Sequence, residues 1–142
     1  MAEVVTLQEA GLAVKRLQWR HHRAANTRLG TIGLSLVQWD VLRHLHANPD
    51  ASLHKLAVLT FQTDQSMGAL ATRMIDRGLI ERVEGPGRAV RHRLTPAGDR
   101  LRQEGAGLID EVLEDSLGHL SKTELGILHT LLVKAASGQS SK

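Results

Sequence analysis

The 142-residue chain has no cysteine, no tyrosine and a single phenylalanine. The missing thiols exclude disulfides, thiolate metal sites and a thiol redox switch, and they fit a reducing compartment. Aromatics are limited to Trp19, Trp39 and Phe61, so any core must be aliphatic. A chain rich in Leu and Ala, with few β-branched runs, leans to helix. No apolar run approaches the roughly 20 residues that span a bilayer. Met1–Glu9 shows no basic-then-apolar leader pattern, so a cytoplasmic location is expected. There is no internal repeat, and the length suits one domain with its own core.

What is present is positive charge in two places. The formal net charge is +3, beside eight histidines. Lys15, Arg16, Arg20, Arg23 and Arg28 crowd the N-terminal segment, and Arg73, Arg77, Arg82, Arg88, Arg91 and Arg93 crowd the middle. Such clustering is permissive for nucleic acid, although it does not identify it.

Hydrophobic spacing and stop signals predict the order α-α-α-α-β-β-α-α. A first helix spans about Thr6 to Leu29, with Leu7, Ala10, Val14, Leu17, His21, Ala24 and Arg28 at alternating three- and four-residue steps, a stripe that packs on the chain's own core or on another subunit. Ser35 and Gln38 form a capping box for a second helix from Leu36 to about His46. Asn48-Pro49-Asp50 is a turn, and a short third helix starts near Ser52. Thr63 caps a fourth helix whose buried face is Met67, Leu70, Met74 and Ile75. Gly78 stops it. Leu79–Val83 and Ala89–Leu94 then read as a β-hairpin around Gly85-Pro86-Gly87. Thr95-Pro96 opens a fifth helix to about Leu117. Ser121 and Glu124 box a sixth, from Lys122 to about Ala136. The tail from Ser137 to Lys142 is polar and low in complexity, and disorder is expected there.

Two short helices in tight succession followed by a hairpin make a winged helix-turn-helix. A helix about 10–12 Å wide fits the roughly 12 Å major groove, and the second helix of the pair presents its outer face to base edges. That face carries Gln65, Ser66, Ala69, Thr72, Arg73 and Asp76. Gln65 and Ser66 have the atoms to read bases. Arg73 reaches phosphate or guanine, or else pairs with Asp76 or a carboxylate of the hairpin. Arg88 stands at the wing tip, with Arg91 and Arg93 along the wing's polar face, suited to the flanking backbone or minor groove. Ser52 and His54 begin the third helix, whose free N–H groups suit a phosphate, with Ser52 also a cap.

With these elements in place the chain resembles the MarR family of transcriptional regulators. The resemblance covers nearly the whole chain and is strongest over Leu34–Leu42, Arg73–Arg82, Arg88 and Leu94–Gly98. It implies a mainly α fold with a small β-hairpin: a winged helix-turn-helix lobe at 35–95, flanked by dimerisation helices at 6–34 and 96–136, with 137–142 as a tail. It also implies a homodimer on a pseudo-palindromic operator, usually a repressor, released by a small phenolic or other aromatic ligand. The effector pocket would lie between the dimerisation helices and the DNA-binding lobe. There Trp19 and Trp39 would stack on the ligand and His22, Arg23 or His44 would meet an anion; core packing is the alternative role for both tryptophans. Two departures stand out. Pro86 replaces the family's usual Asp two residues before the wing Arg, and Gly68-Ala69 replaces a Thr-Arg pair in the recognition helix. The burden of readout then moves to Gln65 and Ser66. The competing reading is a MarR-like dimer that serves as a ligand-binding or protein-interaction module with weak DNA binding.

Other chemistries find little support. His21-His22 are adjacent and His44 and His46 are two apart, whereas two ligands on one helix face need a spacing of three or four. There is no nucleophile elbow, phosphate loop or zinc-protease helix, so neither an enzyme nor a cofactor is expected.

Overall fold

The computed structural model describes residues 4–84, 87 and 90–138. Six helices and one two-stranded sheet follow each other as α1 (Leu7–Gly30), α2 (Leu36–Ala47), α3 (Leu53–Leu59), α4 (Asp64–Asp76), β1 (Ile80–Val83), β2 (Arg91–Leu94), α5 (Pro96–Glu114) and α6 (Lys122–Ala136), with a 3₁₀ turn at Leu117–His119 before α6. This is the winged helix-turn-helix architecture, mainly helical with a small antiparallel hairpin.

Local chemistry sets the boundaries. Thr6, Ser35, Ser52, Thr63, Thr95 and Ser121 are the N-caps of the six helices, and each side chain accepts from the backbone N–H three residues on. The boxes at Ser35–Gln38 and Ser121–Glu124 are both closed. A cap of this kind stabilises a helix by about 1 kcal/mol. Gly78 takes the left-handed conformation (φ 74°) just past α4, where a Cβ would be strained. The fifth helix is shorter than its spacing predicts: it stops at Glu114, and Asp115 is its C-cap. The apolar spacing continues to Leu117, but Leu117–His119 tightens into the 3₁₀ turn.

The core is aliphatic. Leu29 of α1, Val41, Leu42 and Leu45 of α2, Leu56 of α3, Met67 and Met74 of α4 and Ile80 of β1 are fully buried together. Each such side chain contributes about 1.5–3 kcal/mol relative to exposure. The C-terminal half of α1 thus belongs to the same core as the helix-turn-helix. The N-terminal half does not: Leu12 and Val14 are exposed, and no residue of α6 is buried.

In the hairpin, Ile80 pairs with Leu94, Glu81 with Arg93, Arg82 with His92 and Val83 with Arg91. His92 is buried and Arg91 and Arg93 point out, as the alternation predicts. A third edge was not legible in the sequence. The backbone entering α3 adds to β2 through a Ser52–Arg91 bridge, and Leu53 N donates to the Val90 carbonyl at 2.9 Å. This pins the wing to the start of α3.

Candidate nucleic-acid interface

The turn between α3 and α4 is short enough to lock the two helices. Ala57 and Leu56 of α3 bury against Met67 and Leu70 of α4. The Thr60 hydroxyl, itself buried, donates to the Leu56 carbonyl at 2.6 Å. The outer face of α4 is then free. Gln65, Ser66, Ala69, Thr72, Arg73 and Asp76 are all exposed. Thr63 accepts from the Ser66 N–H at 3.0 Å. The Thr72 hydroxyl donates back to the Gly68 carbonyl at 3.1 Å, so its donor is occupied within the helix. Among the described residues Arg73 forms no ion pair with Asp76 or any wing carboxylate.

The start of α3 presents a mixed picture. Ser52 is the cap and a sheet neighbour at once. His54 Nδ1 lies 2.9 Å from Asp64 Oδ1 in the first turn of α4, so the ring is tied to the next helix. Lys55, which the spacing did not single out, is exposed beside it.

On the wing, Arg88 and Pro86 lie outside the described residues, as do Gly85, Ala89 and the tail from 139 onward. Arg91 is described; it stays exposed, and its Nη1 donates to the Asp50 carbonyl at 3.0 Å. Arg93 Nε lies 3.6 Å from the Asp50 carboxylate. Asp50 sits in the left-handed region (φ 60°), a conformation that Asp tolerates better than most residues. The 48–50 turn therefore braces two wing arginines. Residue type was the available signal, an acid in a turn in a chain with a basic strand. The 41-residue separation of Arg91 and Asp50 hid the pairing.

Of the ligand-pocket residues, the fold brings together three and separates two. Trp19 is 56% exposed and stacks on His22, ring centroids 5.6 Å apart. Trp19 and Arg23, with Arg16 and Arg20, line an open groove of about 520 Å³ along α1. Trp39 is instead a core residue, 6% exposed. Its indole N–H donates to the Arg102 carbonyl at 3.1 Å, Gly105 packs against the ring, and the Arg43 guanidinium sits 5.0 Å over it. A ring so held has no face left for a ligand. His44 is half-buried on α2, and its pKa is lowered by burial and then by Arg43, so it favours the neutral form and is poorly suited to hold an anion.

Two apolar grooves of about 470 and 420 Å³ run between the N-terminal half of α1 and α6, sharing Leu17, Leu117 and Leu128. Among the described residues no cluster of three or more potential metal ligands occurs, and no helix is long and apolar enough to cross a membrane.

The sequence model of the MarR family matches residues 32–89. Solved structures share the fold over most of the chain. A MarR mutant from E. coli complexed with operator DNA superposes with a TM-score of 0.79 at 19% identity, covering 88% of this chain and 91% of that one. A probable transcriptional regulator from Pseudomonas aeruginosa gives 0.76 at 27%, covering 89% and 96%. A Mycobacterium tuberculosis MarR family protein in complex with p-aminosalicylic acid gives 0.75 at 22%, covering 94% and 100%. No curated protein sequence matches the chain.

Proposed function

From a MarR family match over residues 32–89 carried on the MarR fold, we propose that this chain is a cytoplasmic, sequence-specific duplex-DNA-binding regulator. It acts as a homodimeric repressor that a small aromatic or phenolic acid releases from a pseudo-palindromic operator. The observation that carries the reading is the outer face of α4. Gln65, Ser66 and Arg73 stand exposed, and among the described residues Arg73 is in no ion pair, on a helix whose other face is locked into the core. Residues 35–95 form the DNA-binding lobe. Ser52, through the first turn of α3, and Arg91 support the flanking phosphates. Arg88 is proposed as the wing contact on sequence grounds. Thr72 and His54 contribute less, because each is committed within the lobe.

The dimerisation helices are taken as 6–34 and 96–136, and the exposed N-terminal half of α1 together with α6 supports a dimer. A 15-residue helix such as α6 with no buried residue is marginal alone in water. A second copy covering the α1–α6 grooves would supply its packing. For the effector, Trp19, His22 and Arg23 offer an aromatic face beside cations, which suits an aromatic carboxylate. The mycobacterial relative was solved with two such acids, p-aminosalicylic and salicylic.

The direct test is fluorescence anisotropy with the duplex upstream of the protein's own gene, against a scrambled duplex, at two salt concentrations. Preference for the native duplex, with affinity falling steeply as salt rises, is the expected result. Equal affinity for both duplexes would refute specific regulation and favour the ligand- or protein-interaction module, a reading to which the apolar, exposed Ala69 lends its one supporting observation.

A further inference from the structure

Phe61 occupies the residue just past α3, in the left-handed region (φ 58°). Gln62 N donates to the Ala57 carbonyl at 2.8 Å and Phe61 N to the Val58 carbonyl at 3.3 Å. These are the paired bonds of a helix end that usually takes glycine. A bulky aromatic is an outlier in this backbone conformation. The ring does not offset the strain by packing, since it is 94% exposed. Among the described residues nothing covers the ring, and residues that break a local rule without adding to the core concentrate at binding sites.

The direction of the ring's surroundings follows from α3. His54 and Val58 are four residues apart and so share a helical face. His54 is bonded to Asp64 in the first turn of α4. Val58, also exposed, therefore lies on the side of the lobe where α4 begins, and Phe61 follows it two residues before the Thr63 cap. Lys55, one turn before Val58, adds a cation to the same flank. A cation, an aliphatic side chain and a bare aromatic ring thus stand exposed on α3 and its end, and Phe61 precedes Gln65 by four residues in the chain.

We infer that Phe61, with Val58, is an apolar DNA contact. The ring packs on deoxyribose or a thymine methyl at the edge of the major groove as the first turn of α4 enters it. These are the apolar surfaces that a duplex offers at that place. The inference rests on the DNA-binding reading above and adds to it a contact made by neither hydrogen bond nor charge.

The test uses the full chain and the upstream duplex, with Phe61→Gly, Phe61→Asn and Phe61→Trp beside the wild type. Gly and Asn suit the left-handed backbone, so both variants should melt no lower than wild type. Both should bind about tenfold more weakly, less than full burial of a Phe ring would contribute. The slope of log affinity against log salt should stay unchanged, because no phosphate partner is lost. Phe61→Trp should keep the affinity. If the Gly and Asn variants bind as tightly as wild type, or lose affinity only together with melting temperature, the contact does not exist while DNA binding stands. If wild-type protein binds no duplex, the underlying reading falls and this one with it.

Discussion

Gly98 offers a sharp perturbation. It sits in the first turn of α5, and a Cβ placed there would stand 1.9 Å from the Leu79 carbonyl oxygen and 2.9 Å from its carbon. An ordinary carbon–oxygen contact is about 3.3 Å or more, so Gly98→Ala requires a backbone displacement of more than about 1 Å. The obstacle is backbone and cannot rotate away. The same junction holds Thr95, whose N–H donates to Leu79 O at 3.2 Å and whose hydroxyl donates to Gly78 O at 2.6 Å. Overpacking by one methyl costs about 1–3 kcal/mol, and weakening these two bonds adds about 1 kcal/mol each. Against this, Ala is the better helix former by about 1 kcal/mol. The expected net loss is about 2–4 kcal/mol, or roughly 6–16 °C in Tm for a chain of this size. Thermal melts followed by far-ultraviolet circular dichroism at one protomer concentration measure it. Gly107, in the same helix with nothing within 4 Å of its Cβ position, is the internal control: Gly107→Ala should hold or raise Tm. A Gly98→Ala protein that melts at or above wild type would refute the close-approach argument.

Three further outcomes follow from the same structure. Arg73→Ala should weaken duplex binding and flatten the salt slope by about one; an unchanged slope in the anisotropy titration would mean that Arg73 meets no phosphate. Leu128→Glu places a charge in the α1–α6 grooves, and light scattering should report a monomer in place of a dimer; a persistent dimer would place the interface elsewhere. Burial, and then Arg82, lowers the His92 pKa from 6.5, and burial likewise lowers His21 and His44. The unfolded chain therefore binds more protons near and below that value, so stability is full above it and lost as pH falls. Tm should drop between about pH 7.5 and about pH 5.5, and His92→Leu should shallow the drop; an identical profile would clear His92 of any part in it.

Much of this fold is written in short stretches of sequence, because capping and helix termination are settled within three or four residues. The caps at Ser35, Ser52, Thr63, Thr95 and Ser121, the glycine stop at Gly78 and the alternation of Arg91, His92 and Arg93 all stand where residue type and spacing put them. The exposed face of α4 was legible for the same reason, since it is the complement of a 3.6-residue apolar period. The end of α5 was not, because apolar spacing runs past Glu114 and no glycine or proline follows until Gly118.

What tertiary structure alone decided is which distant partner each polar or aromatic side chain meets. Trp19 and Trp39 look equivalent in sequence, yet one stacks in the open on His22 while the other is sealed against Arg102 and Gly105. Asp50 reads as a turn residue and proves to be the brace of Arg91 and Arg93. Phe61 reads as a connector and stands bare in a strained turn. Local signals specify backbone because their partners lie within one turn of chain. Pairings between residues 41 to 63 apart depend on how the helices pack, and it is those pairings that decide which groups remain free to meet DNA or a ligand.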